Sequence, residues 1–549
     1  MKTLRRFAHI ASSYWLVLVV AASLATLAGC GGGGGGGNGG PPPAPVASLS
    51  PTSLTFTSQT VGTTSSAQPV TLTNTGNATL NITSITISGD FNATTTCPNP
   101  GSLSAGSNCT VTVTFAPTAS GSRTGTISIV DDAAGSPQAV ALTGTGSAAV
   151  NNQAQVTVDL GPPALIADCT AIGSNVSCDA DTLFVTVTVC APGSTTNCQT
   201  IDHVAVDTGS SGLRILQTVL TSNLASALPL ENASSGSPLG NCVVFADNSF
   251  IWGPVVNADV SIAGETTAGS TSFTSGLPIQ VISAPGSNFG NLLPAGCSGT
   301  FADNTVDVLG ANGLIGVSVF QQDCGPYCVS NIPSPAAYYS CPSSGCTGTT
   351  EPLLGQLQNP VWAFLHDNNG LSINLPAIPQ SPDIGEATVA GTLTFGIGTQ
   401  SNNALGTATV YTTDDVGDFA ATYKGVKYGT GGIANSGAYI DSGSNGLYFL
   451  DPTTTGMSDC GGNFTGFYCP ASVTSFTVTN AGSNGNSGQV TIKFDNAVNL
   501  LNNNPSFAAF DDFGGQASLT VDYGLPFFFG RTVFVGIEGQ SANGTFWAY

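Results

Sequence analysis

At 549 residues the chain exceeds one ordinary domain, and two or three are expected. It is rich in Gly, Ser, Thr, Asn and Val and poor in Lys, Glu and Met, a composition that favours strands and turns over helices and points to an all-β protein. Charged residues make up only 7% and are mostly acidic, and a net charge of −22 disfavours nucleic acid and anionic lipid heads as ligands.

Residues 1–29 read as a signal peptide, with a basic start (MKTLRR) followed by an apolar run (YWLVLVVAASLATL). Leu27-Ala28-Gly29-Cys30 resembles a bacterial lipobox, which implies cleavage before Cys30 and lipid on its thiol. Without Lys2, Arg5 and Arg6 the remainder keeps six Lys/Arg against 31 Asp/Glu, a net charge of −25. Such a surface suits acid conditions, and it equally suits plain solubility. Residues 30–45 (GGGGGGGNGGPPPAP follows Cys30) read as a tether that lifts a folded body off a membrane, because Gly runs are flexible and Pro runs stiff. Gly31 is not the Asp that often retains lipoproteins at an inner membrane, so an exported lipoprotein of the outer membrane or cell surface is expected. No later apolar run is long enough to span a bilayer.

Residues 46–147 alternate short strands with turn signals, as in QPVTLTNTGNATLNITSITI and CTVTVTFAP, and predict an Ig-like β-sandwich. The segment resembles bacterial Ig-like repeats of the choice-of-anchor and ASPM/Hydin type, which implies a spacer or binding module without chemistry. Fourteen cysteines remain after Cys30, an even number that fits an oxidising compartment. Sequence proximity suggests Cys97/Cys109, Cys169/Cys178, Cys190/Cys198, Cys324/Cys328, Cys341/Cys346 and Cys460/Cys469, with Cys242 and Cys297 left for each other. Spacing alone does not fix this connectivity. Without Cys-x2-Cys pairs and with three His in all, zinc is not expected; neither is any other metal or cofactor.

Beyond the joint GSAAVNNQAQ, the strands LFVTVTVC and QTIDHVAVD predict a β-hairpin that delivers Asp207 into a turn. QTVLTSNLASAL and PVWAFLHDN are the best candidates for short helices. AVDTGSSGL, around Asp207, returns as YIDSGSNGL, around Asp441, 234 residues later. LIGVSVF (314–320) is likewise echoed by FFGRTVF (528–534), which singles out Gly316 and Gly530. The order Asp turn, apolar-apolar-Gly, Asp turn, apolar-apolar-Gly suggests two similar lobes with their Asp turns meeting between them. Two carboxylates a few ångströms apart share a proton; the ionised one can activate a water while the protonated one polarises a carbonyl. Gly209 and Gly443 would let the turns adopt an otherwise strained backbone and also leave room for a neighbouring chain close to the carboxylate.

These features resemble the pepsin-like aspartic proteases, whose two D-S/T-G-S/T signatures match VDTGSSGL and IDSGSNGL. The resemblance covers about Val156–Tyr549 and implies a bilobal, pseudo-twofold β-domain (150–380 and 381–549) in which Asp207 and Asp441 are the catalytic pair. It also implies a cross-lobe grip by the Thr208 and Ser442 hydroxyls, and support of the carboxylates by Ser210 and Ser444. GTLTFGIG (391–398) resembles the strand that opens the second lobe. Three departures stand out. Arg214 replaces a usual Trp. The candidate flap hairpin, 243–262, offers Phe245 and Trp252 in place of Tyr. Arg531 stands where Asp is common and, pointing inward, would favour ionised carboxylates. The whole chain is also similar to a family of bacterial lipoproteins known only as a domain of unknown function.

The expected activity is that of a membrane-anchored aspartic endopeptidase acting on polypeptides, with no nucleic acid involved. The alternative is a catalytically inactive pepsin-like scaffold serving as a cell-surface adhesin or peptide-binding lipoprotein. His203 lies four residues before Asp207 and reads as a surface hairpin residue, and His366 has no evident partner. With no G-x-S-x-G elbow, Ser-His-Asp hydrolysis is not expected.

Overall fold

The computed structural model describes residues 42–147, 151–165, 180–245, 247–379, 385–429, 437–503 and 505–549. The signal segment, Cys30 and the Cys169/Cys178 pair lie outside the described residues. The protein is mostly β and divides into two compact units, one reaching to Ala149, the other made of Val150–Gly398 and Asn403–Tyr549.

The N-terminal unit is an Ig-like sandwich. One sheet orders Ala47–Ser50, Gln68–Asn74, Asn108–Phe115 and Phe91–Thr95; the other is built around Gly121–Asp131 and Gln138–Ser147. Asn108–Phe115 shows the cause: Cys109, Val111, Val113 and Phe115 are buried while the threonines between them are half-buried, the period-two pattern of a strand with one face on a core. The rings of Phe56, Phe91 and Phe115 gather at the centre, with centroids 5.6, 5.9 and 4.9 Å apart. The Cys97–Cys109 disulfide closes one edge.

In the C-terminal unit, Leu183–Cys190 and Cys198–Asp207 form the expected hairpin, with Cys190 opposite Cys198 and the two joined by a disulfide. Gln153–Val158 pairs with Leu183–Cys190 and also with Val389–Phe395, so segments more than 200 residues apart share one sheet. Val389–Phe395 continues through Gly370–Leu375 and Arg531–Gly536 to Phe546–Ala548, which brings the end of the chain back to the same sheet. One hydrophobic core runs through the unit, taking in Val156, Val204, Ile315, Leu371, Ile440, Phe449 and Trp547. Among the described residues six disulfides are present, each on a pair suggested by sequence proximity or by elimination.

Helices are short. Ser222–Ala227 forms inside QTVLTSNLASAL, capped by the Thr221 hydroxyl. The helix expected over PVWAFLHDN does not form: Asn359 Oδ1 accepts from Val361 N at 3.0 Å and Asp367 adopts a φ of +41°, so the stretch folds as successive turns. Among the described residues no helix is long and apolar enough to cross a membrane.

Candidate active site

Asp207 ends the strand Cys198–Asp207, which lies parallel to Gly313–Val317 with Asp207 opposite Gly316. The chain turns over three residues and leaves as Ser211–Leu216, antiparallel to the same central strand, with Gly212 also opposite Gly316. The arrangement recurs around Asp441. Ala438–Ile440 enters parallel to Val521–Tyr523, and Leu447–Phe449 leaves antiparallel to it, both Ile440 and Leu447 facing Tyr523. These strands are buried on both faces, which is why they read as apolar runs rather than alternating ones.

The two turns meet. The Thr208 amide donates to Ser442 Oγ (3.1 Å) and the Ser442 amide to Thr208 Oγ1 (2.9 Å). Thr208 Oγ1 donates to the Ile440 carbonyl (2.9 Å) and Ser442 Oγ to the Val206 carbonyl (2.7 Å). Every bond has its counterpart in the other turn. Gly209 and Gly443 donate their amides to Asp207 Oδ1 (2.7 Å) and Asp441 Oδ1 (2.9 Å), and the Ser210 and Ser444 hydroxyls bond the two Oδ2 atoms. Asp207 is 5% exposed and Asp441 2%. A Cβ on Gly209 would stand 2.6 Å from Asp441 Oδ1, and one on Gly443 2.6 Å from Asp207 Oδ1, so each glycine lies against the opposite carboxylate. Neither adopts a positive φ, so of the two reasons for glycine only room applies.

Gly316 sits as expected, where a Cβ would come within 2.6 Å of the Ser210 carbonyl carbon. Gly530 does not play the matching part. It donates to the Leu375 carbonyl (3.0 Å) beside the strand Arg531–Gly536. The place next to Asp441 belongs to Gly524, whose Cβ would lie 2.6 Å from the Ser444 carbonyl oxygen and 2.1 Å from that of Gly446. The central strand of the second half is therefore VDY followed by Gly524, and a search for two apolar residues before glycine passes over it because Asp522 replaces an apolar residue. Asp522 is 2% exposed and lies 2.8 Å from Ser444 Oγ. Arg531 accordingly does not follow the glycine beside Asp441. Its Nη1 donates to the Phe527 carbonyl (2.7 Å) and its guanidinium covers the Phe527 ring.

Phe245 and Trp252 lie on the predicted hairpin, Leu239–Val244 with Ser249–Ile262, and both are buried in apolar clusters. Phe245 packs with Phe184, Ala205 and Leu314, and Trp252 with Tyr339 and the Cys242–Cys297 disulfide. Arg214 is 1% exposed; it donates to the Ser211 carbonyl (2.9 Å) and stands 3.5 Å from Asp323 Oδ2. Asp323 also accepts from Asn241 Nδ2 (3.1 Å) and from the Tyr338 hydroxyl. Burial lowers the Arg214 pKa, opposed by Asp323, Tyr338 and Asp207, and burial raises that of Asp323, opposed by Arg214. A cavity of about 20 Å³, room for one water-sized molecule, adjoins this network and is lined by Gly209, Ser210, Arg214, Asp323 and Val416. His203 pairs with Asp159 (3.5 Å) and Asp202 (3.1 Å), and its hydrogen bond to Asp159 raises its pKa. His366 lies in the turns of 360–368. Among the described residues no cluster of His, Cys, Asp and Glu could hold a metal ion.

No curated protein matches the chain. Among solved structures, the ASH/PapD-like domain 7 of human CEP192 is 18% identical; the match covers 20% of this chain and 90% of that one at a TM-score of 0.16. A protein of unknown function from Porphyromonas gingivalis W83 is 18% identical over 19% of this chain and 47% of that one (TM-score 0.17). The secreted serine protease VesC from Vibrio cholerae is 13% identical over 40% and 44% (TM-score 0.15). Likenesses of this size carry nothing about the aspartate turns. Residues 45–139 match the ASH family (Abnormal spindle-like microcephaly-assoc'd, ASPM-SPD-2-Hydin), so the N-terminal unit is an Ig-like ASH domain. The match to "Protein of unknown function (DUF3443)" spans residues 148–549, the whole of the C-terminal unit, and the chain belongs to that family.

Proposed function

We propose that this chain is a membrane-anchored aspartic endopeptidase in which Asp207 and Asp441 together hydrolyse peptide bonds. The same reading takes the C-terminal unit as two pepsin-like lobes related by a pseudo-twofold axis, and takes Cys30 as the lipid-bearing anchor. The observation that carries it is the reciprocal pair of turns: four matched hydrogen bonds, and a glycine in each turn laid against the other's carboxylate. The pair holds one proton. The ionised aspartate takes a proton from a water whose oxygen bonds to the peptide carbonyl carbon, while the protonated one gives its proton to the carbonyl oxygen. The tetrahedral diol then collapses: the ionised aspartate takes one hydroxyl proton, the other aspartate gives the proton it holds to the nitrogen, and the C–N bond breaks to release a carboxylic acid and an amine, leaving one proton on the pair. Thr208 and Ser442 hold the turns, and Ser210 and Ser444 hold the outer oxygens.

Asp522 gives this site an asymmetry. Ser444 Oγ stands 3.0 Å from Asp441 Oδ2 and 2.8 Å from Asp522 Oδ2. A hydroxyl has one proton to donate, so the second contact is a hydrogen bond only when one of the carboxyls is protonated. Leu314 holds the corresponding place in the first half, two residues before Gly316 as Asp522 is before Gly524. Asp522→Asn leaves Ser444 with one carboxylate to serve and is expected to alter the acid limb of the pH–rate profile; an unmoved profile assigns Asp522 to packing alone.

The scaffold reading has one observation in its favour: Phe245 and Trp252 are buried in packing, so the hairpin offers neither as a cover for the aspartates. Pepstatin separates the two readings. The endopeptidase reading expects the full chain to cleave a denatured protein in mild acid, with pepstatin blocking the cleavage. Folded protein without cleavage supports the scaffold.

A further inference from the structure

A second cavity, of about 220 Å³, lies outside the aspartate turns, and Leu447, Lys493, Asp511, Phe527, Phe529 and Arg531 help to line it. Beyond the signal segment the sequence holds six Lys/Arg, and two of them meet here. Arg531 is fixed in place: Nη1 is tied to the Phe527 carbonyl (2.7 Å) and the guanidinium carbon lies 4.5 Å from the Phe527 ring centroid. Among the described residues its Nε and Nη2 donate to no protein atom, which leaves one edge of the guanidinium fork for a ligand. Lys493 Nζ stands 3.0 Å from Asp511 Oδ2, so the cavity already handles one carboxylate; its lining holds two cations and that one acid, with Asp512 also within electrostatic reach of Lys493. Burial lowers the Arg531 pKa, against Tyr549, Asp511 and Tyr523, but a guanidinium stays charged.

We propose that this cavity is a binding site for the carboxylate of a singly charged ligand. The Nε–Nη2 edge of Arg531 pairs with the two carboxylate oxygens and Lys493 supplies a further donor. A phosphate dianion fits less well, because it would set two negative charges beside Asp511. The proposal needs no peptidase activity. A free organic acid and the C-terminal carboxylate of a peptide share this chemistry.

The test is calorimetric titration of the full chain with benzoate, with acetyl-Gly-Phe, with acetyl-Gly-Phe amide and with inorganic phosphate. Saturable one-to-one binding of benzoate or acetyl-Gly-Phe is expected, the tighter of the two naming the source. The amide should bind at least about tenfold more weakly, and Arg531→Gln should weaken carboxylate binding by about tenfold. Lys493→Gln, on a half-exposed side chain, should also weaken it with an unchanged melting temperature. Asp511→Asn removes a competing carboxylate and should tighten binding several-fold, a gain that misfolding cannot produce. The proposal is overturned if neither carboxylate saturates, if the amide binds equally well, if phosphate binds most tightly, or if Arg531→Gln keeps wild-type affinity.

Discussion

Gly209→Ala and Gly443→Ala are each expected to lower the turnover of the aspartate pair by about a hundredfold or more, the usual result of displacing a reacting group by about 1 Å. The added methyl would sit 2.6 Å from the opposite carboxylate, well inside contact distance. A carboxylate that withdraws loses the amide and hydroxyl bonds that hold it. A turn that shifts instead breaks the exchange between Thr208 and Ser442. Both routes separate the two aspartates. Stability should fall as well, because the methyl overpacks a buried junction. Gly236→Ala is the control: its φ is +81° and its Cβ would meet nothing within 4 Å, so strain of about 1 kcal/mol is expected with turnover unchanged. If all three variants cleave equally well, the packing of the two turns does not govern chemistry.

The second large effect is on stability against pH. Burial pushes the Asp512 carboxyl up to about 7, with Asp511 and Asp495 adding to it. It pushes Glu351 up to about 7 and Glu265 up to about 8, the latter with help from Asp367. Asp181 is raised too, by burial and then by Asp512 and Asp511. In the unfolded chain such groups titrate near 4. Below that all are protonated in both states and contribute no pH dependence. Between about 4 and 8 the folded protein keeps protons that the unfolded chain has released, so stability falls as pH rises. Asp90, held down to about 2 by its hydrogen bond with Arg123, works the other way, but below pH 4. The melting temperature should therefore drop by roughly 5 to 10 °C between pH 5 and pH 8. Asp512→Asn should flatten the fall, and a melting temperature that rises across the range would contradict these assignments.

Much of the fold was legible because the strands obey simple periods. Thr-Val alternation marks the N-terminal sandwich, and short cysteine spacings, with one pair left over, mark the disulfides of the described residues. The repeat around Asp207 and Asp441 was legible because the same small residues are needed twice: a hydroxyl to cross to the other turn and a glycine to make room. Where the two halves differ, the pattern misleads. Asp522 breaks the apolar-apolar-Gly rule, so FFG with Gly530 stood in for VDY with Gly524. Buried pairings between distant segments leave no local mark. Nothing in the sequence around Arg214 announces Asp323, 109 residues on, or Tyr338 behind it. The predicted helix at PVWAFLHDN failed on the Asn359 side chain and the turn at Asp367.

The proposed activity stands or falls with the pairing of Asp207 and Asp441. It is tested most directly by assaying the full chain on a denatured protein between pH 3 and 7, beside Asp207→Asn and Asp441→Asn. Cleavage by the native protein is expected, and each substitution alone should lower it by at least about a thousandfold while both variants keep native circular dichroism. Cleavage that survives either substitution, or a folded native chain that cleaves nothing, would contradict it.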